Sequence, residues 1–250
     1  MVDDPIWDPL RSEMKRWSRA GRVAQLWLRD DDAVEPTPML DRLVELSSHY
    51  HVPVTLAVIP APTGEELAQK LSGMDLVTVT VHGWSHESHA GPGQKKQELG
   101  LERPLAMVLD QLKAGLSKLE TLYRGQFSPV LVPPWNRIDR GIRMELTRTG
   151  FRALSVFGMA TTRPGEIQCI NTHVDLIDWH GTRGCRPHGD LVADIVTQMK
   201  QRFDGSNEPI GILTHHLVHD EVAWAFLNQL FEVTRTMQGV AWKKLSDLLD

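Results

Sequence analysis

The chain has 250 residues, 41% apolar and 24% charged, with a formal charge of −5 at neutral pH; it is long enough for a sizeable core, and its acidic balance argues against a phosphate-backbone partner, because nucleic-acid binders present a basic face. Two cysteines, Cys169 and Cys185, are too few for a disulfide framework and lack the C-x-x-C spacing of a cysteine-ligated zinc site. No apolar run reaches membrane-spanning length, and the opening MVDDPIWDPL lacks the basic and apolar regions of a secretory signal, so a cytoplasmic protein with no membrane span is expected.

Short β-branched runs alternate with longer helical periods. Residues 23–28 (VAQLWL) read as a first strand, ending on Arg29 and three consecutive aspartates, Asp30, Asp31 and Asp32. Residues 37–51 follow with Leu40, Leu43, Val44 and Tyr50 near helical spacing. Residues 53–60 are a second strand closed by proline. In TGEELAQKLSG, Thr63 as a cap, Glu66 three residues on and the terminal Gly73 mark both ends of a helix. Residues 76–81 are a third strand, and 104–124 a helix with Leu105, Leu109, Leu112, Leu116, Leu119 and Tyr123 on one stripe. A fourth strand over 128–134 precedes a helix ending at Gly150. A fifth strand lies in 151–158 and a sixth within 169–179. The helix over 190–203 has Leu191, Ile195, Met199 and Phe203 in phase. Residues 209–216 are a seventh strand, 221–237 a helix, and the last eleven residues before the terminus add a short strand and a turn. About seven strand–helix repeats predict a parallel sheet with helices outside, in one domain over residues 1–250. A (β/α) barrel is favoured over an open doubly wound sheet, since no G-x-G-x-x-G follows the first strand.

The reactive residues fall at strand ends. The aspartates end the first strand, His82 the third, PPWN the fourth; Asp178 and Trp179 end the sixth, and His215 and His216 the seventh. The carboxyl ends of parallel strands share one face, where active sites form. In HGWSH, His82 and His86 are four residues apart, but Gly83 stands where a zinc-protease helix needs glutamate, and Gly-Trp-Ser is poor helix; the pair is read on a turn. Two imidazoles and a carboxylate from the aspartate run would make a three-ligand zinc site open to water. The plainer alternative is two hydrogen-bonded histidines with no metal. Adjacent carboxylates repel, so an apolar strand running into three of them implies a positive partner nearby.

RDDDA, HGWSH, VPPWN, DLIDW and ILTHH occur in the order of the five motifs of the polysaccharide deacetylases, the NodB-homology carbohydrate esterases, and over residues 26–216 the chain resembles a divergent member of that family. The resemblance implies a distorted (β/α) barrel of about seven parallel strands and a divalent metal, zinc first, with cobalt and nickel as alternatives. Aligning Ala33 with the family's glycine makes Asp31 the catalytic base and Asp32 the metal ligand with His82 and His86. The other register, with Asp30 and Asp31 in those roles, is less favoured; alternation along a strand forbids both unless a bulge intervenes. The carboxylate left over would be solvated or would cap a turn. His215 takes the place of the catalytic acid, and His216 is read as a packing or supporting residue. Asp178, and Asp175 at the start of the same motif, support the catalytic groups; Trp179 walls the sugar pocket, with Trp135, after Pro134, as the opposite wall. The family's arginine before the prolines is Val132 here, so Arg29 and Arg137 are candidates to hold the base charged. His89, His180, His188 and His219 have no motif support.

These roles imply a metal-dependent hydrolase that removes N-acetyl groups from an N-acetylated sugar, oligosaccharide or glycoconjugate. The alternatives are hydrolysis of another non-peptide amide, or a non-catalytic sugar-binding protein on the same scaffold. Sugar identity and oligomeric state are not legible.

Overall fold

The computed structural model describes residues 4–160 and 165–249. In chain order the elements are α1 (Asp8–Arg19), β1 (Ala24–Ala33), α2 (Pro38–Tyr50), β2 (Val54–Val58), α3 (Glu65–Leu71), β3 (Val77–His82), α4 (Leu105–Leu122), β4 (Phe127–Val132), α5 (Arg140–Thr149), β5 (Ala153–Leu154), β6 (Gln168–Cys169), β7 (Val174–Asp175), α6 (His188–Phe203), β8 (Ile210–Thr214), α7 (Glu221–Arg235) and β9 (Val240–Trp242). Short 3-10 turns follow β4 and β8.

The strands lie in the order β6-β5-β4-β3-β2-β1-β8-β7, and every ladder is parallel. One edge of β1 pairs with β8, from Leu26↔Ile210 to Asp30↔Thr214. Its other edge is shared: β9 takes Ala24 to Leu26, and β2 takes Leu28 to Ala33. No ladder among the described residues joins β6 to β7, so the (β/α) barrel is incompletely closed. Because the sheet is parallel, the carboxyl ends of β1, β3, β4, β7 and β8 face one way.

The central strands β2 (VTLAV) and β3 (VTVTVH) are buried along their whole length, as near-continuous β-branched runs covered on both faces should be. Helices close around them with signed ends. Thr37 accepts from Leu40 N–H at 3.0 Å and starts α2; Asp220 accepts from Ala223 N–H at 2.8 Å and starts α7. Gly150, at φ 105°, ends α5 in a left-handed conformation that costs glycine little.

Several elements differ from the sequence expectation. α1 was not anticipated at all, because its apolar residues are sparse among charges; yet Leu10, Met14 and Trp17 recur at helical spacing and are buried. β1 does not stop before the aspartates but runs through them to Ala33. Thr63 does not cap α3; Gly64 does, and the Thr63 hydroxyl donates to Val34 C=O at 2.7 Å. The buried stripe of α4 is Val108, Leu112, Gly115 and Leu119, while Leu105 is exposed. The segment read as one sixth strand is divided between β6 and β7, and β5 is only two residues long.

Candidate active site

Arg29 lies on β1 with its side chain fully buried. Its Nε and Nη2 donate to the two carboxylate oxygens of Asp31 at 2.9 and 3.0 Å, a fork matched to its acceptor. Nη1 donates to Ser155 Oγ at 2.7 Å and Ser155 C=O at 3.2 Å, and Nη2 also donates to Asn136 Oδ1 at 2.8 Å. All five guanidinium hydrogens therefore have acceptors, which is what a buried arginine needs. Arg29 and Asp31 are two apart and share a face of the strand.

Asp30 points to the opposite face. It is neither solvated nor a cap, as expected of a spare carboxylate; it is fully buried, accepts from His216 N–H at 2.8 Å and contacts His216 Nδ1. Burial alone would lower the His216 imidazole, but the Asp30 charge and hydrogen bond outweigh it and raise it.

The pairing of β1 with β2 slips between Asp30 and Ala33, a bulge, and Asp32 takes φ 73°. This turns Asp32 away from its two neighbours. Its Oδ1 lies 3.0 Å from His82 Nε2 and 3.2 Å from His86 Nε2. Burial pushes the Asp32 carboxyl up, but the hydrogen bond and charge of His82, with His86 and His215 beyond, hold it well below the usual range. Burial and the His82 charge keep His86 below its ordinary value, so its ring favours the neutral form that a metal ligand requires.

His82 is the last residue of β3, and its Nδ1 lies 3.0 Å from Val132 C=O. A carbonyl only accepts, so Nδ1 carries a proton and Nε2 is the atom that faces the Asp32 carboxylate; burial lowers this imidazole, but the Asp32 hydrogen bond and the charges of Asp31 and Asp32 outweigh it and raise it. Two electron-rich atoms at 3.0 Å need a proton or a cation between them. Ligand atoms around a tetrahedral ion with bonds near 2.0–2.1 Å sit about 3.3–3.4 Å apart. Asp32, His82 and His86 thus form a possible carboxylate–imidazole–imidazole metal site, and the donor set fits a divalent ion.

His215, directly after β8, puts Nε2 at 4.0 Å from Asp31 Oδ2. The edge of Trp179 meets its ring, with centroids 4.8 Å apart. On the other side Trp135 lies on His86, with centroids 4.5 Å apart. Pro134 is buried beneath that turn. Asp175 accepts from Ile177 N–H at 3.0 Å and Trp179 Nε1 at 2.9 Å. Burial raises its carboxyl against the opposing charge of His215.

Two expected residues sit elsewhere. Asp178 accepts from the N–H groups of Gly181 and Thr182 at 3.0 and 3.1 Å; its carboxylate organises a turn rather than supporting the catalytic groups. Arg137 donates to Lys96 C=O at 2.7 Å and does not hold Asp31. Two partners of Arg29 were missed. Asn136 stood inside the PPWN motif, whereas Ser155, far away in sequence, carried no signal. Glu98, which supports the turn bearing His86, was missed too. Backbone strain marks the place: of six non-glycine residues at positive φ among those described, Asp32, His86, Trp135 and Asn136 belong here.

No family model matches the sequence, and no curated protein matches it. Solved structures do. A Mycobacterium smegmatis protein assigned to the polysaccharide deacetylases superposes with a TM-score of 0.65 at 14% identity, over 91% of this chain and 89% of that one. The fold is that of the polysaccharide deacetylases. A peptidoglycan N-acetylglucosamine deacetylase matches with a TM-score of 0.58 at 14% identity, over 91% of this chain and 88% of the other. The family 4 acetyl xylan esterase of Clostridium thermocellum, solved with a cobalt ion, matches at 0.53 and 14% identity, over 90% and 89%. At these identities the likeness to polysaccharide deacetylases is one of fold.

Proposed function

We propose that this chain is a metal-dependent hydrolase that removes N-acetyl groups from an N-acetylated sugar, oligosaccharide or glycoconjugate. One observation carries the reading: Asp32 Oδ1 meets Nε2 of both His82 and His86, at 3.0 and 3.2 Å, beside a buried Asp31 that faces His215. Carbohydrate deacetylases and esterases among the structural matches support the reaction class, and the cobalt in one of them supports a divalent ion. Zinc is the proposed ion, with cobalt and nickel as the closest substitutes for this donor set.

Asp32, His82 and His86 would hold the ion, which when bound lowers the pKa of water and polarises an acyl carbonyl. Asp31 takes the proton of the attacking water. Arg29 pairs with that carboxylate and fixes both its oxygens, the part that an arginine before the prolines has in the family the sequence resembles. His215 delivers a proton from Nε2 to the departing amine, a task an imidazole suits near neutral pH. Trp135 and Trp179 wall the sugar from opposite sides, with Pro134 and Asp175 seating one ring each.

Zinc-loaded protein should release acetate from N-acetylglucosamine oligomers or a related N-acetylated glycan, and a chelator should stop it. Full activity in metal-stripped protein defeats the proposal. Activity confined to non-sugar amides would keep the site and change the substrate. Sugar binding without turnover, unaltered by Asp31→Asn, would instead identify a binding protein.

A further inference from the structure

Glu98 lies in the long segment between β3 and α4, and its side chain is wholly removed from solvent. A carboxylate is costly to bury unless its oxygens are satisfied. Here they are satisfied by the turn that links His82 to His86. Oε1 accepts from Ser85 N–H at 2.7 Å, from the Ser85 hydroxyl at 3.2 Å and from Trp84 N–H at 3.2 Å; Oε2 accepts from Trp84 N–H at 3.3 Å. The turn is shaped around this group. Gly83 has φ 57°, and a Cβ there would stand 2.1 Å from Glu98 Oε2 and 2.7 Å from Pro134. His86, at the far end, has φ 60°. Two left-handed residues in four are not a conformation that Gly-Trp-Ser-His adopts unaided.

Glu98 is itself anchored on the side away from the turn. Leu99 forms a bridge with Ile138 and accepts from Asp139 N–H at 2.8 Å, while Glu98 C=O accepts from Arg103 Nη2 at 3.2 Å. The turn has two other backbone ties: Gly83 N–H to Val132 C=O at 3.0 Å and Trp84 C=O from Ala61 N–H at 2.8 Å. Both precede Ser85. Between Trp84 and His86, the N–H and hydroxyl of Ser85 donate, among the described residues, to Glu98 alone.

We propose that Glu98 is a positioning residue of the metal centre: its carboxylate, seated inside the 83–86 turn, sets the place of His86 Nε2 relative to His82 and Asp32. This rests on the reading of Asp32, His82 and His86 as ligands. A ligand whose backbone is loosened still reaches the ion some of the time, so the effect is on affinity and coordination rather than on folding. Supporting groups of this kind are worth about 10–100-fold in metal affinity.

The test compares wild type, Glu98→Gln and Glu98→Ala as full-length folded proteins. Zinc affinity is measured by competition with a chromophoric chelator, the visible spectrum is recorded after cobalt loading, and urea unfolding is followed without metal. The expected order of zinc affinity is wild type, then Gln, which keeps an acceptor for Ser85 N–H, then Ala, about 10–100-fold weaker than wild type. The cobalt bands should weaken in the same order as His86 gives way to water. A folded Ala variant with wild-type zinc affinity and an unchanged cobalt spectrum overturns the inference, whatever its urea midpoint. Should Ala not fold, unchanged affinity and spectrum in the Gln variant overturn it equally. Wild-type protein that binds neither zinc nor cobalt overturns this inference and the proposed function together; tight wild-type binding with an indifferent position 98 overturns this inference alone.

Discussion

Each of the three aspartates in RDDDA has its own side-chain partner, which is how a buried strand tolerates them side by side. Asp30 has His216, Asp31 has Arg29, and Asp32 has the imidazoles of His82 and His86. Arg29→Met should therefore remove the cationic partner of Asp31 without touching Asp32. We expect turnover to fall about 10²–10⁴-fold and stability by about 3–5 kcal/mol, with zinc content by atomic absorption close to wild type. Unchanged turnover would remove Arg29 from the site. A second residue-scale expectation concerns His219, which burial pushes down to about 4, against an ordinary value of 6.5. The unfolded chain gains this proton on acidification before the folded protein does. Stability from this group is thus full above pH 6.5, falls as the pH drops, and is lost by pH 4. The loss amounts to about 2 kcal/mol at pH 5 and about 3 kcal/mol at pH 4. His216, with its raised pKa, acts in the opposite sense and weakens the protein as the pH rises past its folded value. Urea unfolding at pH 7 and pH 5 should show a smaller pH loss in His219→Gln than in wild type; equal losses would refute the assignment.

At the level of elements, the site is built from strand ends and the turns that leave them, and these are short and bent. β1 bulges at Asp32, β3 ends on His82 and passes into a turn with two left-handed residues, and β4 runs into Trp135 at φ 54°. The helices outside are longer and regular, with side-chain caps on α2, α5 and α7, and they provide the rigidity against which such strain can persist. α1 is part of that shell. Trp7, just ahead of it, stacks on Phe226 of α7 at 5.3 Å and donates from Nε1 to Gln229 at 3.1 Å. Trp7→Ala should cost about 3–5 kcal/mol in urea unfolding, and a loss below 1 kcal/mol would mean that α1 is not integral to the fold.

Across the whole molecule, the sheet is parallel and incompletely closed between β6 and β7, yet the ends of β1, β3 and β8 still bring Asp31, Asp32, His82 and His215 to one place. No helix is long and apolar enough to cross a membrane among the described residues. An ion that binds only the folded protein stabilises it by mass action, about 2.7 kcal/mol at a concentration 100 times its Kd. For a chain of this size that corresponds to a rise of roughly 5–10 °C in Tm. Differential scanning fluorimetry should show this shift with zinc, reversal by a chelator, and no shift in Asp32→Ala. A zinc shift that survives Asp32→Ala would place the ion elsewhere.

The alternation of strands and helices, and the falling of acidic and imidazole residues at strand ends, are local properties, and periodicity with motif order made them legible in RDDDA, HGWSH, VPPWN and ILTHH. The pairing of charges was not. A two-residue period assigns Asp30 and Asp32 to one face, and only the bulge against β2 separates them, sending one to His216 and the other to His82 and His86. Arg29 and Arg137 are both candidates by sequence; the tertiary structure brings Ser155 and Asn136 to Arg29 and turns Arg137 toward Lys96. The reason is physical: a buried charge must find its partners wherever the packed chain supplies them, and apart from Asp31 beside Arg29 those partners lie 50 to 186 residues along the sequence, where no pattern of spacing reaches.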